Sequence, residues 1–241
     1  MRLAKYLADA GIASRRRAED IIRQKRVKVN GLIAVLPQTK VGENDLVTVD
    51  GKKVGRSEKK VYFLLNKPPG YISTAFDTHD RPTVIDLLKE IKERVYPVGR
   101  LDADTSGALL LTNDGKLAYR LTHPSYNIKK TYRAWVKGMP DQNILDQMTK
   151  GLLIENRKTA PAEIIVIDRD KKQNLSMLQI VLTEGRKRQV KKMCTTVGHP
   201  VVQLHRINFA GLTVEDLAVG SYRALREEEK RRLYDMVGLK K

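Results

Sequence analysis

The 241-residue sequence contains one cysteine, Cys194, so no disulfide can form within the chain and a packed core has to hold the fold. A lone thiol suits a reducing compartment, and the cytoplasm is the expected location. The four histidines, His79, His123, His199 and His205, stand in no HxxxH spacing, and no CxxC occurs. A zinc hydrolase or deaminase therefore lacks a ligand set, and no metal is expected. No apolar run approaches the ~20 residues of a spanning helix. The first residues alternate Leu3, Tyr6 and Leu7 with charges where a signal peptide would have its apolar core, so no membrane partner is expected. Acidic residues are scarce: 28 Asp and Glu stand against 46 Lys and Arg, for a net charge of +18. That imbalance points to a polyanion, nucleic acid ahead of an anionic surface.

What is present is enough for a sizeable core, with 41% hydrophobic residues distributed over one large domain or a small and a medium one. Residues 1–50 read as a module of their own. Leu3, Tyr6, Leu7 and Ala10 have the spacing of an amphipathic helix that Gly11 ends. Ser14 is placed to cap a second helix with Ala18, Ile21 and Ile22 on its apolar face. Alternating strand patterns follow at 26–29 and 45–50, with tight-turn signals at Asn30-Gly31 and Asp50-Gly51. Basic residues gather at both ends of the second helix. This stretch, in LAKYLADAGIASRRRAEDII and in VKVNG followed by VTVDG, resembles the S4 RNA-binding domain. The resemblance implies an RNA-contacting face that includes Arg15, Arg16, Lys28 and Asn30.

Gly51 to Lys60 has the composition of a linker, which divides the chain into a 1–55 domain and a 61–241 domain. The second part mixes strands and helices without a regular βαβ rhythm. The expected class is α+β, with a mixed, mainly antiparallel sheet and flanking helices. Its expected elements include a buried strand at VYFLL, a short helix over 83–91, and a helix after Asn113-Asp114-Gly115 that stops before Pro124. A strand at 129–137 puts Tyr132, Ala134 and Val136 on one face, leaving Tyr132 either to pack or to reach a site. A basic helix is expected directly after Gly185, carrying Arg186, Lys187, Arg188, Lys191 and Lys192 around an apolar stripe of Val190, Met193, Cys194 and Val197. Five cations so close repel one another, a cost that a polyanion removes.

The chain is organised around GRLDADTSGALLLTNDG, residues 99–115. Here Asp102 precedes a polar turn and a leucine run that can anchor it, while Arg100 lies close enough to fill a gap or hold a phosphate. Three readings compete. Asp102-Ala103-Asp104-Thr105 fits the DxDxT pattern of aspartate-nucleophile phosphatases, although Gly99 and Arg100 interrupt the hydrophobic strand that this chemistry requires. An RNA-binding or ribosome-assembly protein without an active site would satisfy the charge. An RNA-modifying enzyme using one carboxylate and no metal would satisfy both the charge and the acid.

PVGRLDADTSGALLLTNDG, FLLNKPPG, KKTYRAWVKG and LTEGRKRQVKKM, in this order, resemble the RsuA/RluB family of ribosomal-RNA pseudouridine synthases across essentially the whole chain. The resemblance implies that Asp102 is the catalytic residue, with Tyr132 and Lys191 completing the set. Lys191 occupies a position that is more often arginine, and its charge would keep the acid ionised. RNA binding would involve Arg100, Arg186 and Arg188. The implied reaction breaks the N1 glycosidic bond of uridine, rotates the uracil and joins C5 to the same sugar carbon, with no cofactor. YPVGRLDADTSG and HPSYNIKKTY look closer to the branch that modifies the large subunit, so the expected partner is 23S rather than 16S ribosomal RNA, acted on by a monomer.

Overall fold

In the computed structural model, which describes residues 1–55 and 58–240, the chain divides into two compact units. One comprises Met1–Val61 with Ile91–Arg94 and Asn113–Gly115, and the other comprises Tyr62–Glu90, Val95–Thr112 and Lys116–Lys241. In the first, α1 (Leu3–Asp9) buries Leu3, Ala4, Tyr6 and Leu7, and α2 (Arg15–Arg23) buries Ala18, Ile21 and Ile22. Ser14 caps α2 by accepting from the Arg17 amide at 3.2 Å. Strands β1 (Val27–Val29), β2 (Leu32–Ile33), β3 (Val47–Val49) and β4 (Lys52–Lys53) form an antiparallel sheet in the order β2-β1-β3-β4. Asn30-Gly31 and Asp50-Gly51 turn the chain with φ of 50°, 83°, 49° and 79°. This left-handed backbone is one that Asn, Asp and Gly accept readily.

The expected linker is corrected in part. Lys52 and Lys53 extend the sheet, Val54 is buried, and the Glu58 amide donates to the Asp9 carbonyl at 3.1 Å. Polar composition misled here because a strand at a sheet edge can expose both of its residues. Arg56 and Ser57, from the middle of that stretch, and Lys241 at the end of the expected second domain lie outside the described residues.

The second unit contains β5 (Tyr62–Lys67), β6 (Tyr96–Pro97), β7 (Ser106–Thr112), α3 (Gly115–Thr122), β8 (Lys130–Lys137), α4 (Gln142–Lys150), β9 (Leu153–Ile154), β10 (Arg157–Lys158), β11 (Glu163–Asp170), β12 (Leu175–Leu182), α5 (Gln189–Thr196), β13 (Val201–Phe209), β14 (Leu212–Thr213), β15 (Tyr222–Ala224) and α6 (Glu227–Met236). The main sheet runs β11-β12-β8-β13-β7-β5-β15, with β14 beside β13 and β6 beside β7. Every pairing is antiparallel except that of β13 with β7, so the sheet is mixed and mainly antiparallel as expected. Two apolar cores divide it. Leu64, Ala108 and Leu110 pack with Leu117 of α3 and Leu233 of α6, whereas Ala134, Val136 and Leu178 pack with Met148 of α4 and Met193 of α5.

Two expected helices differ. Over 83–91 there is only a 3₁₀ turn, Val84–Leu87: the Asp86 carboxylate, accepting from the Thr83 amide and hydroxyl, caps its start, and Leu88 leaves the helical conformation with φ −112° and ψ 39°. The helix after Gly185 begins later, at Gln189, and Arg186 to Arg188 form a loop. The Gln189 side chain accepts from the Arg186 amide at 2.9 Å and donates to Glu184 at 2.5 Å, which folds the loop back against the helix start. Arg188 then takes a left-handed φ of 54°. The five cations therefore do not share one helix.

Candidate active site

Strand β7 is buried along its whole length, and the turn at Asp102–Thr105 that leads into it is fixed from below. The Thr105 amide donates to the Asp102 carbonyl at 3.0 Å, and the Gly70 amide to the Ala103 carbonyl at 2.8 Å. The Ser73 hydroxyl donates to the Leu101 carbonyl at 2.8 Å and accepts from its amide at 3.0 Å. Beneath the turn lies Lys67, wholly buried, whose Nζ donates to the carbonyls of Pro68, Asp102, Ala103 and Thr105 at 2.9, 3.2, 3.3 and 2.8 Å. Burial pulls the Lys67 pKa down to about 8, against the opposing charges of Asp104 and Asp102. The turn is thus held through its backbone, and the half-buried Asp102 carboxylate is left for chemistry.

Asp102 lines a cleft of about 640 Å³ to which the first core contributes Leu121 and Phe209 and the second Leu182 and Val190. Tyr132 lines it from the middle of the sheet while also packing against the second core. Arg100, Arg186 and Arg188 line it as well. The Arg186 guanidinium is already engaged, donating to the carbonyls of Ile154 at 2.7 Å and Arg157 at 3.0 Å in the β9–β10 hairpin. Arg100 and Arg188 are exposed.

Lys191 is placed differently from the expectation. Its Nζ lies 2.5 Å from the Asp104 Oδ1, and among the described residues no cation is within salt-bridge distance of Asp102. Lys191, with Arg188 further away, holds the Asp104 carboxyl below its usual range. The two aspartates stand two positions apart in the same turn, and Lys191 is bonded to the second of them.

The DxDxT reading fails on position: the apolar strand follows Asp102 rather than leading into it, and among the described residues no cluster of three acidic, His or Cys side chains is arranged to hold a metal ion. Among the described residues no helix is long and apolar enough to cross a membrane. Arg15, Arg16, Lys28 and Asn30 belong to the first unit. The first three are exposed and free of salt bridges among the described residues, while the Asn30 amide is tied to Asp45 and to the Leu46 amide, each at 2.8 Å.

The model of the RNA pseudouridylate synthase family matches residues 61–196, which contain Asp102, Tyr132 and Lys191, and that of the S4 domain matches residues 1–47. The chain belongs to the RNA pseudouridylate synthase family. A ribosomal large subunit pseudouridine synthase B of Bacillus subtilis (strain 168) is 47% identical over 232 residues, covering 96% of this chain and 95% of the relative. The ribosomal small subunit pseudouridine synthase A of Escherichia coli (strain K12) is 37% identical over 233 residues, covering 95% and 98%. A crystal structure of a pseudouridylate synthase aligns with a TM-score of 0.68 at 31% identity, covering 97% of this chain and 99% of that one. This pseudouridine synthase therefore acts on RNA and carries an S4 domain at its N-terminus.

Proposed function

We propose that the enzyme isomerises one uridine of 23S ribosomal RNA, with Asp102 as the catalytic carboxylate. The observation that carries this reading is the joint placement of Asp102 and Tyr132 in one cleft: a half-buried acid on a braced turn and a ring supported by the sheet. An acid so placed adds to C1′ of the ribose or takes a proton from C2′, while the ring supports the flat uracil. The target base has to leave its stack to enter, at a cost of a few kcal/mol that basic contacts to the RNA backbone offset. Lys191 acts on this chemistry through Asp104, as a positioning residue for the turn. Arg100 and Arg188 at the rim, with Arg15, Arg16 and Lys28 of the S4 domain, suit phosphates, and Asn30 holds the turn beside them.

In this reading residues 1–55 bind RNA and residues 61–241 carry out the reaction, as a cytoplasmic monomer without cofactor. The 23S assignment is supported by the higher identity to the large-subunit relative, 47% against 37%. Asp102→Ala should abolish pseudouridine formation and leave RNA binding in place. Mapping pseudouridines in total ribosomal RNA from a strain lacking the gene, complemented with wild-type or variant protein, checks both parts. Activity in the variant would remove Asp102 from its role, and a missing pseudouridine in 16S RNA would transfer the substrate to the small subunit.

A further inference from the structure

The floor of the cleft holds two cations that the reading above leaves without a task. Arg206 is the cross-strand partner of Tyr132, and Lys130 is the partner of Phe209. Directly opposed residues share a face of the sheet, as do Lys130 and Tyr132, two positions apart on one strand. A register shift between Arg206 and Asn208 returns Phe209 to that same face, where its ring centre lies 4.8 Å from the guanidinium carbon. Both cations line the cleft with Asp102.

Their bonding is incomplete. Arg206 is 2% exposed, its Nε donates to the Ala108 carbonyl at 2.8 Å, and its buried Nη2 has no hydrogen-bond partner among the described residues. The Lys130 Nζ donates to the carbonyls of Ile128 and Thr183 at 2.8 and 3.3 Å. Among the described residues neither cation forms a salt bridge, since the nearby Glu184 is engaged by the Ala160 amide and Gln189. An arginine is always charged, and a buried donor left unmet is costly. A group of this kind in a cleft is explained most simply by a partner that arrives with the substrate. A phosphate would have to shed its water to reach so buried an atom. A base lying on Tyr132 brings carbonyl oxygens to it directly.

We propose that Arg206, backed by Lys130, is a further catalytic residue that donates from Nη2 to a uracil carbonyl and stabilises the negative charge of the detached base. The inference rests on the reading of Asp102 as the catalytic carboxylate and Tyr132 as the support of the base. When N1–C1′ breaks, its electron pair stays on the base, and the charge spreads over N1, O2 and O4. The sugar is meanwhile held by a new C1′–O bond to Asp102, or becomes a glycal by giving its C2′ proton to that carboxylate. When C5 bonds to C1′, the Asp102 bond breaks or the C2′ proton returns. The proton on C5 is then lost, N1 gains one, and the base is neutral again. A cation beside the carbonyls lowers the barrier to the first cleavage and retains the base while it turns.

The test compares single-turnover cleavage of the N1–C1′ bond in two transcripts of the mapped ribosomal fragment, one with uridine and one with 5-fluorouridine at the target. Fluorine stabilises the departing anion by itself, so an enzyme that has lost its own stabiliser is less impaired on the second transcript. Arg206→Met removes the charge and retains the length. It should slow cleavage roughly 100-fold or more on uridine and less than about tenfold on 5-fluorouridine, with RNA Kd near that of the wild type. Arg206→Lys should recover part of the rate on uridine. Both transcripts meet the same protein sample, so the ratio of the two losses is independent of how much of a variant is folded. Equal losses on both transcripts, or a loss appearing as weaker binding, would overturn the proposal while leaving the function of Asp102 intact. Absence of pseudouridine from the wild-type reaction would overturn that function and this inference together.

Discussion

Lys67 and Lys130 give up their water on folding, and their consequences can be separated by pH. Burial lowers both to about 8, assisted at Lys130 by the charge of Arg206 and opposed there by Glu184. Between pH 8 and the ordinary lysine value of 10.5, the unfolded chain retains protons that the folded chain has released. Stability from these groups therefore rises with pH through that window and is lost as pH falls through 8. Cys194, pushed by burial from 9.0 to about 12, works the other way above pH 9. Denaturant midpoints at pH 7.5 and 9.0 should thus show a gain for the wild type and a smaller gain for Lys67→Met and for Lys130→Met; full gains in both variants would refute it. A second expectation concerns the turn at the acid. Lys191→Arg should retain most pseudouridine formation, whereas Lys191→Met and Asp104→Asn should lower it to similar extents, since each breaks the same pair. Activity lost with Lys191→Met and unaffected in Asp104→Asn would mean that Lys191 acts on the substrate or on Asp102 directly.

Strands β7 and β13 meet in the one parallel pairing of the main sheet, and Gly107 makes it possible. Its φ of 111° is unfavourable for other residues, and a Cβ there would collide with the backbone of Arg206. Gly107→Ala should therefore cost about 3 kcal/mol or more, read from urea unfolding, and should reduce activity beyond the loss of folded protein because Arg206 and the Asp102 turn flank the contact. The elements that the sequence displays well are those whose side chains follow the period of the element. Tyr132, Ala134 and Val136 alternate along β8, and Ile21 and Ile22 with Ala18 form the inner stripe of α2. Strand β13 is hard to see, although it lies at the centre of the sheet, because a bulge near Val202 and another near Ile207 interrupt its alternation and the polar His205 and charged Arg206 occupy its middle. The loop at Arg186–Arg188 reads as helix because its residues favour one, whereas the Gln189 bond to the Arg186 amide and the left-handed φ of Arg188 keep it out of the helix. Lys67 gives no periodic signal at all. Its place under the turn depends on contacts 35 to 38 residues away along the chain.

The charge of +18 belongs to the molecule as a whole, and the two units offer different surfaces to carry it. In the S4 domain Arg15 and Arg16 are exposed at the first turn of α2, where unpaired amides also favour anions, and Lys28 projects from β1. In the second unit the exposed rim cations are Arg100, Lys187 and Arg188. Truncation cannot divide these contributions cleanly, since a cut at residue 55 removes Glu58, whose amide binds α1 at Asp9. Substitution can. Arg15→Ala, Arg16→Ala and Lys28→Ala together remove three charges that form no salt bridges among the described residues, so the fold should survive. If each neutralises a phosphate, the slope of log K against log salt becomes shallower by about 2 to 3, and binding near physiological salt weakens by at least roughly tenfold. The rate of pseudouridine formation at saturating RNA should stay at the wild-type value, because Asp102 and its cleft belong wholly to the other unit. Filter-binding titrations at several salt concentrations, paired with single-turnover assays, measure both quantities. An unchanged slope would move RNA recognition to the cleft rim, where Arg100→Ala and Arg188→Ala should then reproduce the missing salt dependence. A slower rate at saturation would mean that the S4 domain positions the target uridine as well as holding the RNA.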